Sequence, residues 1–171
     1  MAISMYHSSV PVLTRMLTNL SAILDKAAAH AAARKIDPAV LLGTRLFPDM
    51  FSLTKQVQLA CDFAKGAAAR LAGMEPPKFP DEEKSFDELK ARIAKTIDYV
   101  KGFKPAQIDG SEARAVALTA AGQTYNFKGQ GYLLNMVLPN FYFHVTTAYA
   151  ILRHCGVEIG KRDFLGPLDS M

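Results

Sequence analysis

The chain of 171 residues carries only two cysteines, Cys61 and Cys155, and no CxxC pair, so nothing in it suggests a disulfide framework. Both fall on the apolar sides of predicted helices, where a free cysteine acts as a small buried hydrophobe. No run approaches the roughly 18 consecutive apolar residues that a membrane span requires. The first residues, MAISMYHSSVPVL, lack a basic stretch followed by an apolar one, so no secretory leader is expected in them. Together these absences point to a soluble, cytoplasmic protein with no membrane partner.

Charge of one sign is not concentrated either. Lys and Arg total 20 against 16 Asp and Glu, a net charge of +4. Residues 1–85 and 86–171 each hold ten basic and eight acidic side chains, and the longest basic excesses are pairs such as Arg34-Lys35 and Lys161-Arg162. Nucleic-acid binders cluster Lys and Arg on one face, often with stacking aromatics between them. The even spread reads as a solvated surface, and nucleic acid is not expected as a partner. Phosphate-cradling motifs are missing. Neither Gly129-Gln130-Gly131 nor the stretch Gly156 to Lys161 fits GxxxxGK[ST] or GxGxxG, and GxSxG is absent.

What the chain does have is apolar periodicity. Half of its residues are hydrophobic, and its length suits one domain over 1–171. Ile3, Tyr6, Val10, Leu13, Leu17, Leu20, Leu24, Ala27 and Ala31 are spaced three and four apart, which keeps one stripe facing a partner helix over most of 4–33. Pro11 belongs either to the first turn, with Ser8 or Ser9 as cap, or to a kink. Asp37-Pro38 reads as a cap followed by proline at the first helical position, opening a short helical turn or loop through Leu46. A second seam runs from Phe47 and Met50 through Thr54, Val57, Cys61, Ala64 and Ala68 to Leu71, and Gly73 and Pro76-Pro77 end it. The Ser85 to Glu88 stretch has the capping-box pattern and opens a third helix with the stripe Phe86, Leu89, Ile93, Ile97 and Val100.

Residues 106–130 break this pattern. Arg114 to Thr119 is β-compatible, Ala120-Ala121-Gly122 offers a turn, and Gln123 to Phe127 alternates polar and aromatic residues, which predicts a small hairpin. A fourth helix follows over about 131–155 on Leu134, Leu138, Phe141, Val145, Ala148, Leu152 and Cys155, with a bend or break expected at Pro139. The fold class is therefore all-α, a four-helix bundle with a small β-hairpin before the last helix.

Four histidines are present, and His144 is the one that draws notice, at the flank of the buried stripe of the fourth helix. A buried imidazole needs partners for both nitrogens or a metal on one. It is either a core-edge histidine bonded to Tyr, Asn or backbone, or a ligand. His154 sits in the last turn, where the helix dipole favours a cation; His30 reads as solvated and His7 as surface or site-facing. Tyr132, Phe141, Tyr142, Phe143 and Tyr149 form an aromatic cluster suited to core and dimer packing or to a pocket. A cysteine–histidine dyad from Cys61 or Cys155 is disfavoured, because both thiols lie on seams.

The run Leu138-Pro139-Asn140-Phe141-Tyr142-Phe143-His144, followed by Arg153-His154-Cys155-Gly156 and by Gly160 to Gly166 (GKRDFLG), resembles the DinB/YfiT-like superfamily, in an uncharacterised branch carrying this helix and tail. The resemblance covers essentially the whole chain. It implies a DinB-like four-helix bundle that is frequently homodimeric. In many relatives three histidines hold a divalent metal, one from the second helix and two from an HxxxH turn on the fourth, and some act as thiol-dependent transferases or hydrolases. In this chain His144 matches the second histidine of that turn, Asn140 stands at the first, and no histidine lies between Phe47 and Leu71. Asp49, Thr54 and Gln56 are the polar candidates there. Asn is a weak ligand for borderline-soft metals.

These readings lead to a homodimer with a degenerate metal site and a small-ligand site near His144, lined by His144, Asn140, Tyr142 and Thr147. The cofactor is none or one divalent metal, with His144 as its ligand and Asn140, His7 and Asp49 as further members of an altered set. The alternative is a metal-dependent thiol transferase or hydrolase with altered ligands.

Overall fold

The computed structural model describes residues 3–120 and 122–167. Helix α1 spans Val10–Arg34, and Pro11 lies in its first turn, where a missing N–H costs no helical hydrogen bond. Ser9 occupies the N-cap position, yet its hydroxyl donates to the Met5 carbonyl at 2.7 Å instead of accepting a cap bond. Asp37 does cap the short α2 (Pro38–Gly43), accepting from the Ala39 N–H at 2.9 Å.

Helix α3 (Leu53–Leu71) begins later than its apolar seam suggests. Pro48 disfavours helical backbone at Phe47, and residues 47–50 form a turn closed by the Met50 N–H on the Phe47 carbonyl. Phe47 is consequently 64% exposed, whereas Val57, Cys61, Ala64, Ala68 and Leu71 are wholly buried. Helix α4 (Phe86–Lys101) starts with Ser85 accepting from the Glu88 N–H at 3.1 Å. The reciprocal bond of the capping box is displaced by one residue, since the Glu88 carboxylate takes the N–H of Lys84.

A single turn, α5 (Pro105–Ile108), leads to β1 (Ala115–Ala120) and β2 (Gln123–Lys128). The strands pair antiparallel with Val116 opposite Phe127 and Leu118 opposite Tyr125, and Gly122 supplies the positive φ of the tight turn. Val116, Leu118 and Phe127 pack on the helical core, so the hairpin is stabilised by the helices it covers.

The last long helical segment has three parts: α6 (Gly129–Gly131), a π-helical turn (Tyr132–Val137) and α7 (Leu138–His154). The π turn immediately precedes Pro139, whose ring and missing N–H disturb the ladder one turn back. Asn140, just after the proline, donates its Nδ2 to the Met136 carbonyl at 2.7 Å. The wider turn also shifts the buried stripe. Leu133 and Val137 are fully buried, while Leu134, which α-periodicity assigns to the seam, is 47% exposed. The stripe regains its expected phase at Phe141 and continues through Val145, Ala148 and Leu152.

Helices α1, α3, α4 and α7 share one core, with α3 packed against α7 and α4, and α1 against α4 and α7. A final turn, α8 (Lys161–Leu165), docks on α1. Its Asp163 pairs with Lys26, its Phe164 carbonyl accepts from Asn19 at 3.0 Å, and Arg15 donates to the carbonyls of Leu165 and Pro167. The GKRDFLG tail is thus a docking segment for the first helix. Among the described residues no helix is long and apolar enough to cross a membrane.

Candidate functional site

His144 projects from α7 toward α3 and is 6% exposed. Its Nδ1 lies 2.7 Å from Oε1 of Gln56, and its ring stacks on Phe63 at 5.6 Å between centroids. Gln56 donates its Nε2 to the Phe51 carbonyl at 3.2 Å, which orients the amide with its oxygen toward the imidazole. The neutral tautomer therefore carries its proton on Nδ1. Burial lowers the histidine to about 4, so it is neutral at pH 7. Of the three polar candidates on and before α3, Gln56 is the one that meets His144. Asp49 is exposed on the preceding loop, and Thr54 donates to the Leu42 carbonyl.

The other expected site residues disperse. Asn140 spends its amide N–H on Met136, as above. Tyr142 is 37% exposed, and Thr147 donates to the Phe143 carbonyl at 2.7 Å. These two line a shallow apolar depression with Leu46, Met50 and Phe143, which Gln56 does not line. His7 is exposed and bonded to Ser4. His30 is half-buried rather than solvated, beside Gly156.

A divalent metal held as the resemblance implies would need three histidines. Here one imidazole faces one amide oxygen, and Asn140, whose Nδ2 donates to backbone, offers at most a second amide oxygen. That set does not fit a four-coordinate borderline metal. Among the described residues no three His, Cys, Asp or Glu side chains converge as a metal site.

Phe63 leads from His144 into a second space, a cleft of about 390 Å³ between α3, the hairpin and the π turn. None of His144, Asn140, Tyr142 and Thr147 lines it. Its walls include Phe63, Leu118 and Met136, and one end holds Arg70 and Tyr132. Arg70 Nη1 donates to the Tyr132 hydroxyl at 3.1 Å. Tyr132 is 2% exposed, and burial raises its phenol above the ordinary tyrosine range although Arg70 partly opposes that. The only sequence signal for this pair was an isolated glycine, Gly66, inside a helical pattern. A Cβ there would stand 2.6 Å from Arg70 Nη1, so the glycine is what lets the guanidinium fold back along α3.

Below the cleft, Arg92 of α4 is almost wholly buried and pairs with Asp62 (2.9 Å), Asp81 (3.0 Å) and Glu83 (2.9 Å). Lys65 also holds Asp62, and Lys65, Arg92 and Lys95 surround the Phe79 ring. This network ties the segment between α3 and α4 onto the helices. Cys61 lies beside it, and burial pushes its thiol up to about 12, with Thr96 and Arg92 opposing. It is no nucleophile at neutral pH.

A mostly helical frame with one hairpin packed before the last helix, and a histidine on that helix facing the α3 helix, defines a DinB-like protein. A crystal structure of a DinB family member from Shewanella denitrificans matches it with a TM-score of 0.89 and 43% sequence identity, over 97% of this chain and 94% of that one. Residues 5–165 match DUF1993, a domain of unknown function, and the chain belongs to that family. No match was found among the curated proteins.

Proposed function

We propose that this single-domain DinB-like four-helix bundle is a cytoplasmic homodimer that binds a small molecule without a metal cofactor. The observation that carries the reading is the His144–Gln56 pair. The resemblance assigns a metal to the imidazole of this helix, and here the imidazole is neutral, bonded to an amide fixed by backbone, and stacked on Phe63. The ligand site is the neighbouring cleft, which Phe63 joins to His144 and whose volume of about 390 Å³ falls in the range of small-molecule sites.

The dimer rests on exposed apolar surface. Leu46, Met50, Tyr142 and Phe143 line one depression, and Phe47 and Phe51 stand exposed on the same connecting loop. Monomers rarely leave contiguous apolar patches beyond a few hundred Å² uncovered.

Elemental analysis of untagged protein purified without chelator, repeated on His144→Ala, tests the reading. Substoichiometric zinc, nickel, iron and manganese in both proteins is the expected result. Near-stoichiometric metal that disappears in the variant overturns it and restores the metalloenzyme alternative.

A further inference from the structure

The geometry points to the Arg70–Tyr132 end of the cleft as a carboxylate-binding site, for a small organic acid whose apolar body lies along Phe63, Leu118 and Met136. The inference rests on the small-molecule reading above and adds the chemistry of the ligand.

Three features support it. First, the charge at this end is not neutralised. The cleft holds Lys65, Arg70 and Asp62, and Asp62 is engaged by Lys65 and Arg92. Among the described residues no carboxylate lies within ion-pair distance of Arg70, which leaves one guanidinium in excess. Guanidinium presents several N–H donors in a plane and takes carboxylates in a bidentate fork. Among the described residues only its Nη1 has a partner, the Tyr132 hydroxyl.

Second, the tyrosine completes the donor set. Its oxygen accepts from Arg70, and its own proton meets no acceptor among the described residues. A hydroxyl so placed donates to an anion bound on the same guanidinium. Third, the site is shaped by backbone choices that the fold alone does not demand. Gly66 sits in the middle of α3, where it weakens the helix relative to alanine. Its missing side chain is the space into which Arg70 folds. Tyr132 and Met136 both belong to the π turn, a helical form that recurs at functional sites. Apart from the Asp62–Lys65 pair and Thr119, the remaining lining (Leu59, Phe63, Pro76, Leu118 and Met136) is apolar, which favours an acid with an aryl or alkyl body over inorganic phosphate or a sugar.

The test titrates phenylacetate, 3-phenylpropionate, hexanoate and octanoate, each paired with its primary amide, into full-length protein followed by amide NMR spectra. Shifts are expected around Arg70 and Tyr132 for at least one acid, with its amide binding about tenfold or more weakly, as loss of a charge-assisted contact implies. Arg70→Gln should abolish the preference for acid over amide. Gly66→Ala keeps the charge and an α3 helix but displaces the guanidinium, and should weaken the acid severalfold in a protein whose spectrum remains folded. Tyr132→Phe should weaken it by a smaller factor. Equal binding of acid and amide, or an acid preference that survives Arg70→Gln, overturns the carboxylate assignment while leaving a cleft that binds small molecules. Failure of every acid at millimolar concentration overturns the inference as well. Metal content and mass measured on the same preparation report separately on the underlying reading.

Discussion

Nδ1 of His144 and Oε1 of Gln56 stand 2.7 Å apart across the contact between α7 and α3, with the amide held in place by the Phe51 carbonyl. The pair ties a histidine that could have been a ligand into the packing of two helices. Burial of that imidazole makes the folded protein reluctant to take up a proton there.

That reluctance has a pH signature. The folded imidazole titrates at about 4 because it is buried, against about 6.5 in the unfolded chain. Between those values the unfolded chain binds a proton that the folded one refuses. Stability is therefore fully present above about pH 6.5 and falls as pH drops toward about 4, by about 3 kcal/mol in all. Urea midpoints across this window should decline in the natural protein and decline much less in His144→Gln, which keeps an amide partner for Gln56 and cannot titrate. Parallel pH profiles would show that another group is responsible.

The Arg92 network acts in a lower window. Burial raises Asp81 and Glu83, but Lys55 with Arg92 outweighs it at Asp81, as Arg92 with Gln58 does at Glu83, so both carboxyls end below their ordinary values. Their contribution is present above about pH 4 and disappears as pH falls through the lowered values. Arg92→Met leaves Glu83 and Asp62 without their buried partner. The full loss for breaking a buried pair is tempered here, because Asp62 and Asp81 remain about one-third exposed. A loss of about 2–3 kcal/mol in denaturant unfolding is expected, together with faster proteolysis within residues 74–85. Unchanged proteolysis would mean that the segment is held by something other than Arg92.

The helices were legible because their seams are regular and their caps chemical. Asp37 and Ser85 mark boundaries where the sequence places them. Where legibility failed, a backbone constraint had overridden side-chain periodicity. Pro48 postponed α3 and exposed Phe47, and the π turn before Pro139 exchanged Leu134 for Leu133. For the site, His144 could be singled out, but its partner could not be chosen among Asp49, Thr54 and Gln56, since helical phase fixes a face and not a contact. Arg70 and Tyr132 are 62 residues apart, and the isolated Gly66 marks only the space into which Arg70 folds, not the partner it meets.

The apolar loop and α7 surface make a prediction about mass. Phe143 is 54% exposed and stacks edge-on against the His144 ring at 5.3 Å. Phe143→Asp should convert a dimer into a monomer by light scattering at micromolar concentration. Because the side chain is exposed, its effect on unfolding of the monomer should stay near 0.5 kcal/mol, as for most surface changes. A natural protein that already weighs as a monomer would remove this face as a dimer interface.

Two glycines separate a steric requirement from helix propensity. A Cβ on Gly129 would overlap the backbone carbonyl of Ser111, whose oxygen accepts from the Arg114 N–H and whose residue is wholly buried. Neither group can withdraw without breaking the loop before β1. At Gly43 an added Cβ meets nothing within 4 Å. Gly129→Ala should therefore cost about 2–3 kcal/mol through overpacking. Gly43→Ala should be neutral or stabilising by up to about 1 kcal/mol. Gly129 begins the turn that carries Tyr132 three residues later. Its substitution should also shift the Tyr132 signals in NMR spectra, whereas Gly43→Ala should leave them in place. Equal melting temperatures for the two variants would show that the Ser111 loop yields, and that the approach of the last helical segment to it is not what positions Tyr132 against Arg70.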